Sequence, residues 1–194
     1  RQFFFGQHFF AREFGAASDV FWLPDTFGYS AQLPQIMRLA GVERFLTQKL
    51  SWNLTNKWPH STFRWYGLDN ADPVLVHFPP ADTYVAKAGV DDLLKSYAAV
   101  RSKHLAPNIQ TSGMLYGHGD GGGGPDERML SHLDRLRQLA RARDGSGVEL
   151  PVPTHMTPTE LFDRISADER AGPPLPVWRG ELFFELHMGT FTTQ

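Results

Sequence analysis

Asp19-Val20-Phe21-Trp22-Leu23-Pro24 runs into Asp25-Thr26-Phe27-Gly28-Tyr29-Ser30, then Leu33-Pro34-Gln35-Ile36-Met37-Arg38-Leu39-Ala40-Gly41, then Glu43-Arg44-Phe45-Leu46-Thr47-Gln48-Lys49-Leu50. The first run is apolar, of strand length, and stopped by proline. Ser30 can cap a helix whose apolar positions are Leu33, Ile36, Met37, Leu39 and Ala40, and Gly41 closes it. Residues 43–50 return to a strand pattern. Strand, helix and strand in succession point to an α/β fold with a mostly parallel sheet.

The same alternation extends in both directions. Phe4, Phe5, Phe9, Phe10 and Phe14 fit helical spacing loosely, with Gly15 as the stop. Residues 51–72, rich in Trp, Asn and Pro, read as irregular. Val74 to Phe78 is a short strand ended by Pro79-Pro80. Residues 91–103 form a helix, Ser112 to Tyr116 a strand, 117–124 a glycine loop, and Pro125 opens a strongly periodic helix. Val148 to Val152 is a strand, Thr157 with Glu160 makes a capping box for a helix to about Ala167, and Gly180 to Leu186 is a final strand. About six strands fall short of a closed (β/α) barrel, which takes roughly 250 residues. The expected architecture is an incomplete (β/α) barrel with mostly parallel strands, in one unit covering residues 1–194. The chain begins without Met on Phe3-Phe4-Phe5 and ends just past Leu182-Phe183-Phe184; the expectation is a fragment of a larger catalytic domain.

Composition narrows the chemistry. Nineteen Lys and Arg against twenty-one Asp and Glu give a net charge of −2, so nothing favours nucleic acid or an anionic membrane as partner. Zero Cys removes disulfides, thiolate ligands and Cys nucleophiles. No run approaches the ~20 apolar residues of a membrane span. Asn53-Leu54-Thr55 is a glycosylation sequon, a triplet that also arises by chance.

Parallel α/β folds gather function beyond the carboxyl ends of their strands. Three segments qualify: Asp25 to Ser30, Gly117-His118-Gly119-Asp120 before four glycines, and Glu185-Leu186-His187. Asp25 could be a turn or cap residue, yet Phe27 and Tyr29 add aromatic surface suited to a sugar face. The glycines admit close backbone approach to a ligand, or a flexible loop; no Lys-Ser or Lys-Thr follows to make a phosphate loop. His118 and Asp120 form a weak His-x-Asp pair. A lone His187 after an apolar strand is as readily structural as functional. Two carboxylates from different segments, with aromatic platforms, are one arrangement for glycoside hydrolysis.

These segments resemble the catalytic domain of glycoside hydrolase family 38, the retaining α-mannosidases, and most closely its cytosolic and vacuolar type. The resemblance rests on Phe21 through Ile36, on Lys49-Leu50-Ser51-Trp52-Asn53, on Val76-His77-Phe78-Pro79-Pro80, on Gly119-Asp120 with the glycines to Pro125, and on Gly180 through His187 to Thr192-Thr193-Gln194. It implies that Asp25 is the nucleophile and a metal ligand, Asp120 the acid/base, and His187 a metal ligand. It implies Phe27, Lys49 and Tyr84 as substrate contacts, and zinc or cobalt as the divalent metal. The implied substrate is a mannose-containing oligosaccharide with terminal α-linked mannose, cleaved through a covalent mannosyl-enzyme. The implied location is the cytoplasm, with vacuole or lysosome as alternatives, and the parent is a candidate homo-oligomer. In the family, a His-x-Asp pair on the first barrel strand completes the metal site; nothing in residues 1–20 replaces it. His118 stands where an aromatic residue is usual, and Met188 where a polar one is. The isolated segment is therefore expected to be inactive. The competing reading is a non-catalytic sugar- or metal-binding module on the same scaffold.

Overall fold

The computed structural model describes residues 1–103, 108–141 and 151–187. The elements are α1 (Gln2–Phe14), β1 (Val20–Trp22), α2 (Leu33–Leu39), β2 (Arg44–Leu46), β3 (Thr62–Tyr66), β4 (Val74–His77), α3 (Val90–Ser102), α4 (Glu127–Arg141), α5 (Pro158–Arg170) and β5 (Val177–Arg179), with a 3-10 turn over Lys49–Trp52. The strands form one sheet in the order β1-β2-β4-β3-β5. The β1–β2, β2–β4 and β3–β5 pairings are parallel; β3 and β4 are antiparallel. The expected α/β class with a mostly parallel sheet is what is found, and the sheet is open.

Each strand carries two kinds of side chain, one per face. Phe21, Phe45, Phe63, Trp65, Val74 and Val76 share a core with Met37 of α2 and with Tyr29, Leu182 and Phe184. On the other face Leu46 and Leu75 pack on Leu161, Phe162 and Ile165 of α5. Arg44 reaches Asp19 at 2.8 Å and Asp163 at 2.6 Å, and Arg64 Nε donates to Glu169 at 2.9 Å, tying α5 to its face of the sheet. The Thr157 capping box holds, its hydroxyl accepting from Glu160 N at 3.2 Å.

Four expectations change. Residues 51–72 contain β3, whose period-2 signal is Phe63-Arg64-Trp65, with both aromatics in the core. The run after Glu43 is a strand only to Leu46 and then tightens into the 3-10 turn. Ser112 to Tyr116 is not a strand; it makes a single parallel bridge, Ala86 to Tyr116. Residues 180–186 are not a strand either. The strand is Val177–Arg179, and Leu182 makes an isolated antiparallel bridge to Tyr29. Residues 148–150 of the expected strand at 148–152 lie outside the described residues. Among the described residues no helix is long and apolar enough to cross a membrane. Helix α1 buries none of its residues, leaving Phe4, Phe5 and Phe14 exposed.

Candidate active site

The turn after β1 is held from beneath by β2. Leu23 N donates to Leu46 O at 3.0 Å, continuing the ladder past the strand end. Thr47 Oγ1 donates to Leu23 O at 2.6 Å and Gln48 Nε2 to Pro24 O at 2.7 Å. With its proton so committed, the Thr47 hydroxyl accepts from Tyr29 Oη. Burial pushes the Tyr29 phenol well above its ordinary range, so it stays a donor.

This frame presents Asp25, half-exposed, to a buried lysine. Asp25 Oδ1 lies 2.7 Å from Lys49 Nζ, whose side chain is only 4% exposed. The ammonium sits 3.6 Å from the centre of the Trp52 ring, 5.6 Å from Tyr84 and 6.0 Å from Phe27. Burying an ammonium is costly; a carboxylate partner and the negative faces of aromatic rings offset that cost. Lys49, expected as a substrate contact, touches the candidate nucleophile directly.

Asp120 arrives from an irregular loop, not from a strand end. Ala86 N donates to Leu115 O at 3.2 Å and Gly117 N to Ala86 O at 3.0 Å, laying residues 84–86 beside 115–117. His118 N closes the glycine loop on Gly124 O at 2.7 Å. A Cβ on Gly117 would stand 2.8 Å from the Gly124 carbonyl carbon, so the closure requires glycine there. Asp120 itself has φ +52°, a left-handed conformation uncommon outside glycine and found at functional sites. Tyr84 Oη donates to Asp120 Oδ1 at 2.7 Å. That bond, with lesser contributions from burial and from the negative charge of Asp25, pushes the Tyr84 phenol up to about 12.

The third segment is stitched between two loops. Leu182 and Tyr29 exchange backbone hydrogen bonds at 2.9 and 3.0 Å. Phe27 lies 6.1 Å from Phe184 and 4.9 Å from the His187 ring, and His187 also has a left-handed φ of +56°. Opposite, the Glu185 carboxylate accepts from the backbone N of Leu54, Thr55 and Asn56 and from Asn56 Nδ2, at 2.6 to 2.8 Å. These bonds hold the Glu185 carboxyl below the usual range, the Thr55 amide contributing most. Asn53 answers with both amide atoms, donating to Phe183 O at 3.1 Å and accepting from Glu185 N at 2.9 Å. Asn53 is therefore buried and fully engaged, which closes the sequon to a glycosyl group in the folded chain.

The six sequence-named residues thus form one connected set: Asp25 to Lys49, Lys49 to Phe27 and Tyr84, Tyr84 to Asp120, and Phe27 to His187. Beside them opens a cavity of about 330 Å3 bordered by Trp52, Tyr84 and Asp120. A larger cavity, about 680 Å3, lies against Thr62 and His77 and contains none of the six. Trp52 and Glu185 both stand inside segments singled out by sequence, but neither has a role legible there; the partners of Glu185 are about 130 positions away. Asp126 accepts from Met129 N at 2.8 Å at the head of α4 and pairs with His118 at 3.1 Å.

Carboxylate oxygen and imidazole nitrogen are donors that zinc and cobalt accept. Among the described residues, however, no group of three or more His, Cys, Asp or Glu converges to hold an ion. Asp25 and His187 alone do not make a metal centre.

The glycosyl hydrolases family 38 N-terminal domain model matches residues 1–181. The chain is 48% identical over 195 residues to an alpha-mannosidase of Saccharomyces cerevisiae and 52% identical over 193 residues to alpha-mannosidase 2C1 of Homo sapiens. Each match takes in 100% of this chain but only 17% of the relative's length. The crystal structure of an alpha-mannosidase from Enterococcus faecalis shares the fold at a TM-score of 0.60 and 18% identity, over 90% of this chain and 19% of that one. By the family match and by these identities, the chain belongs to glycosyl hydrolase family 38.

Proposed function

We propose that this chain is part of the catalytic domain of a retaining α-mannosidase that removes terminal α-linked mannose from oligosaccharides, with the activity residing in the full-length protein. One observation carries the reading: Asp25 and Asp120, 95 positions apart by their numbers, reach one rim through the Lys49–Tyr84 contact.

The chemistry assigns them different tasks. Asp25 attacks the anomeric carbon as the bond to the leaving oxygen breaks, and Asp120 delivers the proton that oxygen needs. The glycosyl ester on Asp25 is then opened by water, whose proton returns to Asp120. Lys49, buried against Asp25, orients the nucleophile; Tyr84, bonded to Asp120 Oδ1, turns the carboxyl and leaves its second oxygen for proton transfer. Phe27, packed beside Phe184 and His187, offers its ring to the sugar. A divalent metal, zinc or cobalt, would bind Asp25 and His187 only with further ligands from outside the described residues. We further place the protein in the cytoplasm, following its family resemblance.

Hydrolysis of an aryl α-mannoside by the full-length protein tests this. Asp25→Asn should reduce kcat/KM by at least about 10³-fold, as expected for loss of a nucleophile. Activity within tenfold of wild type defeats the assignment. Mannose binding without turnover in the wild type would make the protein a sugar-binding module instead.

A further inference from the structure

The cavity beside Asp120 is furnished beyond what the two carboxylates require. Trp52 is 45% exposed and borders it, with the Lys49 ammonium against its ring. An indole with a cation on one face keeps the other for the C–H face of a sugar. Lys87 Nζ donates to His118 Nδ1 at 3.3 Å, and His118 Nε2 donates to Asp126 at 3.1 Å. An ammonium only donates and a carboxylate only accepts, so His118 relays between them and steadies Lys87, which retains further N–H groups. Gln48 is 1% exposed; its Nε2 is committed to Pro24 O while its Oε1 is buried without a hydrogen-bond partner. An aromatic face, a fixed cationic donor and an orphaned acceptor together suit a polyhydroxylated ring.

Position decides which ring. If Asp120 protonates the leaving oxygen, the group attached to that oxygen must lie on Asp120's side. We propose that this cavity receives the sugar on the leaving side of the scissile bond, with Trp52 as its stacking face and Lys87, steadied by His118, reading its hydroxyls. The proposal rests on the α-mannosidase reading. Lys87 is a specificity-determining residue in it, and the sugar donates a hydroxyl to Gln48 Oε1.

Two substrates separate the outcomes in the full-length protein. An α-linked dimannoside fills the cavity; α-mannosyl fluoride, whose leaving group is a single atom, does not. Lys87→Met should lower the ratio of kcat/KM for dimannoside over fluoride by about tenfold or more, the loss of a charged hydrogen bond. Lys87→Arg, which keeps a cationic donor, should restore most of it. A ratio within threefold of wild type in Lys87→Met overturns the proposal while leaving the enzyme assignment standing. If Lys87→Met slows both substrates equally, its role is structural and the proposal falls. Wild type inert towards both substrates defeats the α-mannosidase reading itself.

Discussion

Gly119→Ala tests whether the Asp120 loop must lie where it does. A Cβ built on Gly119 stands 1.8 Å from Val85 Cγ1, 3.2 Å from Val85 Cβ and 3.2 Å from Tyr84 Cε2. Carbon atoms pack at about 3.5–4.0 Å, so the new methyl must part from Val85 by nearly 2 Å. Turning Val85 does not clear it, because its Cβ and the Tyr84 ring are also too close and the β-branched χ1 is stiff. Gly119 does not share the left-handed φ of its neighbours Gly117 and Gly121, so the effect is one of contact and not of backbone preference. The backbone must give way, and the next residue is Asp120, held by a 2.7 Å bond from the same Tyr84. Misplacing a reacting group by about 1 Å can cost about 10²-fold in rate, and the overpacking itself costs about 1–3 kcal/mol. Full-length Gly119→Ala is expected to lose about 10²-fold or more in kcat/KM for an aryl α-mannoside. Gly6→Ala is the control: nothing lies within 4 Å of its Cβ, and an alanine inside α1 stabilises by about 0.5–1 kcal/mol. Gly119→Ala activity within threefold of wild type would refute the reasoning.

Two further outcomes follow from the polar groups. His77 is fully buried between Thr62, 2.9 Å from its Nδ1, and the Gly113 amide, which donates to its Nε2 at 2.9 Å. Burial, with the Lys103 charge second, lowers its pKa to about 3. The unfolded imidazole takes up a proton below about 6.5 while the folded one does not, so this stability is intact above that pH and falls as pH drops, by about 2 kcal/mol at pH 5. Urea midpoints at pH 7 and 5 should converge in His77→Gln; an unchanged pH dependence counts against the assignment. Glu185→Ala should speed amide exchange in residues 53–56 and 182–187 together and lower kcat/KM, since one carboxylate joins both loops. Faster exchange in residues 53–56 alone would show that the clamp does not position the His187 segment.

Local readings fared best where one element's own pattern sufficed. The Leu33–Leu39 helix, the Thr157–Glu160 capping box and the α/β alternation needed only short-range spacing. They failed where pairing partners lay far away. Ser112 to Tyr116 has strand composition but no neighbour for a ladder beyond one bridge. Thr62 to Tyr66 sits among prolines and tryptophans, yet pairs on both sides, with β4 and β5. A strand is decided by what it pairs with, and nothing within five residues states that.

The candidate site divides along the same line. Residue identity and family motifs were enough to name Asp25, Phe27, Lys49, Tyr84, Asp120 and His187, because chemistry restricts which side chains can do such work. Tertiary structure alone decided their relations. It set Lys49 against Asp25 and Tyr84 on Asp120, and placed Asp120 and His187 on loops with left-handed backbone instead of at strand ends. It also enlisted Glu185 and Asn53 to hold the rim together. These contacts span from 24 positions of chain, for Asp25 and Lys49, to about 130, for Glu185 and Leu54, and are made possible by a sheet that brings β1, β2 and β4 side by side and the segment after β5 against Tyr29.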